Sequence, residues 1–284
     1  MILVTGATGT NGVELIKALA AEGEMARALV RDPQKASSVL PEDTELFRGD
    51  LDDPASLAQA MEGIEKVFLL CPVSPKQPEL EANVVDAAST AGVGHIVKFS
   101  VIHASPDSSS TLLRWHAAAE EHIRASGLAY TFLRPNIFMQ ELMRQADSMR
   151  IRGEFYMPFG PDVRLSFVDV RDNAAVAAKV LCESGHEGKT YTLTGPAALT
   201  FPEIAQRFSA AAGKQIRHVQ VPMEAWKQAF ASSGAPDWLV DQIVELYETF
   251  VPANSLVTDT IPRLLDRPAR TLEAFAKENA QMLK

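Results

Sequence analysis

Three glycines, Gly6, Gly9 and Gly12, stand between a short apolar run at residues 2–4 and a segment with helical periodicity at residues 13–20. This order predicts a buried strand, a tight turn and a helix. Glycines at such a turn let the backbone approach a pyrophosphate, and the helix N-terminus offers unpaired N–H groups to the anion. The pattern therefore predicts a dinucleotide-binding loop with the candidate contact residues Gly6, Ala7, Thr8, Gly9, Thr10, Asn11 and Gly12.

Two charged residues at the end of the second predicted strand, residues 26–30, point to different cofactors. At this position an acidic side chain favours the ribose of NAD, whereas an arginine favours the 2′-phosphate of NADP. Asp32 precedes Pro33, which is typical of a helix N-cap followed by the first helical residue. We therefore expect Asp32 to cap a helix and Arg31 to bind the phosphate, with NADPH preferred and NADH possible. A solvated surface charge is the alternative role of Arg31.

The carboxyl ends of the next predicted strands carry further candidate residues, because open parallel sheets bind ligands at that edge. Leu70 is the last residue of the strand predicted at residues 67–70, and Cys71 follows it. Ser100 is the last residue of the strand predicted at residues 95–100. For Cys71, packing as a small hydrophobic residue is an equal alternative. The serine-rich loop that follows Ser100 is a candidate lid.

Six predicted strands alternate with helical segments over residues 1–135, which predicts an α/β fold with a Rossmann-like, doubly wound parallel sheet. We expect residues 1–135 to form the dinucleotide-binding core. Residues 136–284 would complete the sheet and form a small, mostly helical lobe, with the substrate between the lobes. In this part we expect a strand at residues 164–168, a capping box formed by Thr200 and Glu203, and helices at residues 237–250 and 271–283. Whether the chain is a monomer or a homodimer stays open.

Composition excludes several other classes of protein. The 284 residues carry a formal net charge of −9, which argues against a nucleic-acid partner or a membrane surface. No apolar run reaches the roughly 18 residues of a membrane span, and nothing at the N-terminus resembles a signal peptide. Two isolated cysteines fit a reducing compartment, so we expect a cytoplasmic protein. His116 and Glu120 have helical metal-ligand spacing but no further ligand, so we expect no metal.

The sequence lacks the general-acid pair of ordinary short-chain dehydrogenases, a Tyr followed four positions later by a Lys. The four tyrosines are followed at that spacing by Arg, Gly, Gly and Val. When the helix predicted at residues 111–124 is aligned by Glu120, Leu112 takes the tyrosine position and His116 the lysine position. The absence argues against alcohol–ketone interconversion, and equally against epimerase or dehydratase chemistry that begins with this tyrosine.

Five motifs together resemble the NmrA-like atypical short-chain dehydrogenases. They are V-T-G-A-T-G at residues 4–9, V-R-D at 30–32, G-D-L at 49–51, His116 with Glu120, and Y-T-F-L-R-P-N at 130–136. Later segments at residues 153–158, 185–187, 194–196 and 267–271 are most similar to the NAD(P)H azoreductase branch. The family also includes triphenylmethane reductase, an NADPH quinone reductase and NmrA-type redox-sensing proteins.

The resemblance implies an NAD(P)H-dependent reductase that passes a hydride directly to an electron-poor aromatic acceptor, such as a quinone, an azo compound or a related dye. Such an acceptor needs no strong acid, since its proton can come later from water. The alternative is a non-catalytic NADP(H)-sensing regulatory protein of the NmrA type, because the same glycine loop serves both.

The resemblance also implies roles for individual residues. Asp50 and Leu51 would receive the adenine, and a plain turn residue is the alternative for Asp50. Pro135 and Asn136 would border the nicotinamide, where Asn136 would hold the carboxamide by hydrogen bonds. The walls of the acceptor pocket would include Phe138, Met139 and Tyr156, for which plain core packing is an equal alternative. His116 is the candidate catalytic residue, either binding ribose or nicotinamide hydroxyls or donating a proton. A simple helical pairing with Glu120 is the alternative for His116.

Overall fold

The computed structural model describes residues 1–249 and 254–284, which divide into two compact units. The first unit comprises residues 1–108, 112–135 and 170–193. The second comprises residues 109–111 and 136–169 together with the described part of residues 194–284. The predicted end of a helix at Phe250 lies outside the described residues.

The first unit contains a seven-stranded sheet in which every strand pairs with its neighbours in parallel. Its strands are β1 (Ile2–Val4), β2 (Ala26–Val30), β3 (Glu45–Arg48), β4 (Lys66–Leu69), β5 (His95–Phe99), β6 (Ala129–Pro135) and β9 (Lys189–Leu193). The spatial order is β3-β2-β1-β4-β5-β6-β9. The predicted Rossmann-like, doubly wound parallel sheet is therefore confirmed. Every residue of the central strands β1 and β5 is buried because both faces of the sheet are covered.

Helices connect these strands and position their carboxyl ends. They are α1 (Thr10–Ala21), α2 (Pro33–Ala36), α3 (Pro54–Ala60), α4 (Gln77–Thr90), α5 (Thr111–Ser126) and α8 (Val170–Cys182). Asp32 caps α2 and Asp53 caps α3, and in both helices a proline takes the first helical position. Helix α1 packs beside α8, and α3 beside α4.

The second unit is mostly helical and has two small pairs of strands. Parallel strands β7 (Glu154–Met157) and β11 (Arg217–Gln220) form one pair, and antiparallel strands β8 (Arg164–Leu165) and β10 (Leu199–Thr200) form the other. The helices are α6 (Met139–Leu142), α7 (Ala146–Arg152), α9 (Phe201–Ala212), α10 (Met223–Ser232), α11 (Asp237–Thr249), α12 (Thr260–Leu265), α13 (Leu272–Glu278) and α14 (Ala280–Leu283). The capping box predicted from Thr200 and Glu203 opens α9.

Two predicted elements differ from the structure. A strand expected at residues 164–168 is shorter, because only Arg164 and Leu165 pair in β8 and Val168 forms an isolated bridge with Phe138. A single helix expected at residues 271–283 is broken at Asn279, whose Nδ2 donates to the Phe275 carbonyl at 2.8 Å. In the part of the chain that the structure describes, no helix is long and apolar enough to cross a membrane.

Candidate functional site

The loop between β1 and α1 has a backbone that only glycine fits at two positions. Gly6 has φ +62°, and a Cβ there would lie 2.7 Å from the Leu70 carbonyl oxygen. A Cβ on Gly12 would lie 2.3 Å from the Gly6 carbonyl oxygen. The Gly9 N–H donates to that same carbonyl at 3.0 Å, so the loop is a closed, tight turn. Side chains at these two glycines would clash with the protein's own atoms, so glycine here permits the tight turn and the close packing of the helix on the strand.

The N-terminus of α1 carries unused polar groups. Its N-cap, Gly9, supplies no side-chain cap, and the first intrahelical bond joins the Val13 N–H to the Gly9 carbonyl at 2.9 Å. Asn11 is buried, and its Oδ1 has no hydrogen-bond partner among the residues that the structure describes. The partial positive charge of this helix end fits a bound pyrophosphate, whereas the Asn11 oxygen is an acceptor and would not bind that anion.

Thr5 secures the loop against β4 through its hydroxyl group. Its Oγ1 donates to the Leu70 carbonyl and accepts from the Leu70 N–H, both at 2.9 Å. Sequence reasoning missed Thr5 because this contact joins residues 65 positions apart. The available signal was a hydroxyl residue between the first strand and the first glycine.

Arg31 and Asp32 divide the two roles predicted for them. Asp32 Oδ1 accepts from the N–H groups of Gln34 at 3.1 Å and Lys35 at 3.2 Å, which confirms it as a helix cap. The Arg31 side chain is exposed, and within residues 1–249 and 254–284 it has no ion pair or hydrogen bond. Arg31 is therefore the charged group at this strand end that remains available to a phosphate.

The turn after β3 ties Asp50 and Leu51 into the first unit. Asp50 Oδ1 accepts from the Asp52 N–H at 3.1 Å, and the Leu51 carbonyl accepts from Asn83 Nδ2 at 3.0 Å. These bonds hold both residues in a fixed turn at the carboxyl end of β3. Their contact with adenine stays a prediction.

Cys71 lies just beyond β4 and is 5% exposed. Burial raises the pKa of its thiol to about 12. Its Sγ donates to the Pro72 carbonyl at 3.4 Å. The surroundings of Cys71 favour packing as a small hydrophobic residue over reaction as a thiolate.

Ser100 and Glu120 form a buried cluster with two arginines. Ser100 Oγ donates to Glu120 Oε1 at 2.7 Å. Arg134 binds both Glu120 oxygens, at 2.9 and 2.6 Å, and Arg124 adds a contact at 3.2 Å. These bonds occupy the Glu120 carboxylate, so the alternative helical pairing of His116 with Glu120 is not formed. The Ser100 hydroxyl proton is likewise used within the first unit, and its contact with a cofactor stays a prediction.

His116 instead belongs to a second polar group, which we call the His116 cluster and which consists of Gln77, Glu81, Lys98 and His116. Lys98 Nζ lies 2.7 Å from Glu81 Oε1 and 3.3 Å from His116 Nδ1. Burial and the positive charge of Lys98 hold the pKa of His116 well below its usual range. Sequence reasoning missed the three partners, although a lysine inside an otherwise apolar strand was a usable signal.

Pro135 and Asn136 follow each other at the carboxyl end of β6. The Pro135 carbonyl accepts from the Ile102 N–H at 3.0 Å within the first unit. In the second unit, Asn136 Oδ1 accepts from the Ile137 N–H and from Asn254 Nδ2, and Asn136 Nδ2 donates to Ser166 at 2.7 Å. Since this oxygen is already doubly occupied, a predicted bond to the nicotinamide carboxamide would use the second Nδ2 proton.

The three residues predicted to line the acceptor pocket differ in their exposure. Met139 is 1% exposed and its N–H donates to the Val168 carbonyl at 2.9 Å, so it packs in the core of the second unit. Phe138 and Tyr156 are partly exposed, and the Tyr156 hydroxyl donates to Glu154. Acceptor contacts by all three stay predictions. Among the described residues, no group of three or more His, Cys, Asp or Glu side chains is arranged to hold a metal ion.

The sheet order and the glycine loop define a Rossmann-like NAD(P)-binding protein. More specifically, the chain belongs to the NmrA-like family, whose model matches residues 1–276.

Three relatives cover nearly the whole chain. The NAD(P)H azoreductase of Xenophilus azovorans is 42% identical over 282 residues, covering 99% of this chain and 98% of the relative. The NADPH-dependent quinone oxidoreductase QOR2 of Escherichia coli, solved with NADPH, is 30% identical with a TM-score of 0.88, covering 98% of this chain and 99% of that one. The triphenylmethane reductase of Citrobacter sp., solved with NADP(H), is 30% identical with a TM-score of 0.86, covering 99% and 100%.

Proposed function

We propose that this chain catalyses the direct transfer of a hydride from NADPH to an electron-poor aromatic acceptor, such as a quinone or an azo dye. The transfer would need no Tyr–Lys general acid. The coarser part of this statement, that the chain is an NAD(P)H-dependent oxidoreductase, follows from its family and its reductase relatives. The direct transfer and the acceptor class are the proposal.

One observation carries the cofactor preference. Asp32 is committed to capping α2, whereas Arg31 beside it has no partner in the described chain. An arginine at the end of β2 matches the extra phosphate that distinguishes NADPH from NADH. The glycine loop and the open end of α1 would hold the pyrophosphate, while Asp50 and Leu51 would receive the adenine.

The chemistry asked of the protein is mainly alignment. NADPH, when bound, supplies a hydride from its nicotinamide ring. No Tyr-x-x-x-Lys pair exists to protonate a product, and the buried Cys71 stays a thiol. An electron-poor acceptor needs neither group, so the protein accelerates hydride transfer mainly by aligning the nicotinamide with the acceptor. Pro135 and Asn136 would border the nicotinamide, and Phe138 and Tyr156 would offer aromatic faces to a flat acceptor.

The test is the oxidation of NADPH by the purified protein with a panel of quinones and azo dyes. We expect NADPH to be consumed only when an acceptor is present, with NADH used less well. Nucleotide binding with no turnover across the panel would overturn the proposal and would favour the NADP(H)-sensing alternative.

A pair of glycine variants distinguishes an effect on nucleotide binding by the loop from a general loss of stability. In Gly9→Ala, the new Cβ lies 3.3 Å from the Gly6 carbonyl oxygen, within the loop itself. In the control Gly94→Ala, before β5, the nearest atom is the Glu65 carbonyl oxygen at an ordinary 3.4 Å. We expect the first variant to raise the KM for NADPH and the second to leave it unchanged.

A further inference from the structure

A fully buried ion pair lies at the centre of the His116 cluster. Lys98 on β5 and Glu81 on α4 are both 0% exposed, and their charged atoms are 2.7 Å apart. On the Glu81 side, Oε2 is buried and has no hydrogen-bond partner among the described residues, so the remaining hydrogen bonds of the pair lie on the Lys98 side. Lys98 Nζ also lies 2.6 Å from the Phe99 carbonyl oxygen and 3.3 Å from His116 Nδ1. Three acceptors therefore face the three protons of one ammonium group.

This count fixes the proton on the His116 ring. If Lys98 donates to Nδ1, then Nδ1 must carry a lone pair, and the proton of the neutral ring sits on Nε2. A protonated ring would place an Nδ1–H against the Lys98 ammonium. Burial and the Lys98 charge lower the pKa of His116 for the same physical reason.

The Nε2–H is left without a good acceptor in the cluster. The contact that Nε2 makes within the cluster is to Gln77 Nε2 at 3.5 Å, which is itself a donor and also faces Glu81 Oε1 at 3.4 Å, while Gln77 Oε1 is buried without a partner among the described residues. His116 as a whole residue is partly exposed. A ring nitrogen that donates and has no internal acceptor can donate to a ligand.

We propose that Lys98 is a positioning residue that holds His116 as the neutral Nε2–H tautomer, so that His116 donates a hydrogen bond to an oxygen atom of the bound ligand and does not release its proton. The role toward the ligand rests on the proposed function, whereas the tautomer does not. Other ionisable groups near the ring do not compete for Nδ1. Glu81 is paired with Lys98, Glu120 is occupied by Ser100 and Arg134, and Cys71 stays a neutral thiol.

The tautomer is measured in the free protein by NMR after ¹⁵N-histidine labelling. We expect Nδ1 of His116 to show an unprotonated shift and Nε2 a protonated one, both constant from about pH 5.5 to 8. His122 lies on the same helix and its Nε2 is 2.7 Å from Asp86 Oδ1, so it gives the comparison with a more exposed ring that is paired with a carboxylate. Averaged shifts, an Nδ1–H, or titration of His116 in this range would overturn the proposal without bearing on whether the chain is a reductase.

Variants test whether Lys98 is the cause. In Lys98→Met/Glu81→Leu both buried charges are removed together, so no unpaired charge remains. We expect mixed tautomers in this double variant, with the ring titrating closer to the ordinary value of about 6.5. Lys98→Arg keeps a cationic donor and should retain the wild-type shifts. A folded double variant with unchanged shifts would overturn the assigned role. The wild-type measurement stands even if the double variant does not fold.

The ligand arm uses NADPH alone and then NADP⁺ with a quinone. A shift of the Nε2–H resonance with NADPH alone assigns the acceptor atom to the nucleotide, and a shift that requires the quinone assigns it to the substrate. No shift with either would overturn the donor role. In the wild type, kcat/KM should not change with pH across the range in which a histidine ordinarily titrates. In the double variant, kcat/KM should change with pH in that range.

Discussion

The Thr5 hydroxyl binds both backbone groups of Leu70, joining the carboxyl ends of two neighbouring strands, β1 and β4. These two hydrogen bonds hold the Leu70 carbonyl against the turn that begins at Gly6. The carbonyl leaves no room there for a side chain on Gly6. The geometry of the dinucleotide loop therefore depends on a hydroxyl group that hydrogen-bonds to the backbone of the neighbouring strand end.

Thr5→Val should loosen this loop with little change in shape. The variant leaves the Leu70 N–H and carbonyl without their partner, which costs about 1–3 kcal/mol in the free energy of unfolding. We expect a higher KM for NADPH and a lower urea midpoint. Thr5→Ser keeps the hydroxyl and should stay close to the wild type, so equal effects of both variants would refute this role of the hydroxyl.

Arg31→Ala should change cofactor choice more than stability, because the side chain is exposed and unpaired in the described chain. The loss of one charged hydrogen bond to the 2′-phosphate costs about 1.5–3 kcal/mol of binding free energy. The Kd for NADPH should then rise roughly tenfold or more, while that for NADH stays nearly constant. Fluorescence titration measures both constants. Arg152→Ala, at the exposed end of α7, is the charge-matched control, and a parallel rise for both nucleotides in Arg31→Ala would contradict the assignment.

Cys71 should resist alkylation in the native protein. With a pKa of about 12, only roughly one thiol in 10⁴ to 10⁵ is ionised near pH 7.5. The partly exposed Cys182 is the internal comparison. Mass spectrometry after brief iodoacetamide treatment should find Cys182 labelled first, and Cys71→Ala should retain NADPH oxidation. Fast labelling of Cys71 would show that its surroundings favour the thiolate.

Much of the first unit could be predicted from sequence because its signals are local. An aspartate followed by a proline predicts the start of a helix at Asp32 and at Asp53. A threonine followed three residues later by a glutamate predicts the helix start at Thr200. The apolar runs that became β1 to β6 are short and separated by turn residues. These rules act within a few residues, so one sequence suffices to read them.

The site itself depends on contacts that no local pattern contains. Thr5 meets Leu70, and Lys98 meets both Glu81 and His116, only after the sheet and its helices have assembled. Asn136 was expected to face a cofactor, and the structure adds its bond to Asn254, 118 residues away. Partners of this kind follow from the topology, which fixes which strand ends and helix faces meet.

The free energy of unfolding should fall on acidification below about pH 6.5, in part because of His95. This histidine is 4% exposed, and its Nε2 lies 2.9 Å from Thr131 Oγ1, whose proton goes to the His186 carbonyl. Burial lowers the pKa of His95 in the folded state. Below pH 6.5 the unfolded chain therefore binds more protons than the folded one, so stability rises with pH, by at most about 1.4 kcal/mol per pH unit for one group.

Urea unfolding at pH 7.5 and 5.5 measures this dependence. His95→Gln retains a donor toward Thr131 and should reduce the loss at pH 5.5. His122→Gln, which changes an exposed histidine, is the control. The assignment to His95 fails if the two variants change the pH dependence equally.

Under the proposed function, hydride passes directly from the nicotinamide to the acceptor. The most direct measurement is the kinetic isotope effect on quinone reduction with NADPH deuterated at the transferred position, followed across the pH range. We predict slower turnover with the deuterated cofactor, loss of the label from the nicotinamide, and no dependence on a group acting as general acid. Tight NADPH binding without label loss in the presence of any acceptor would contradict the claim.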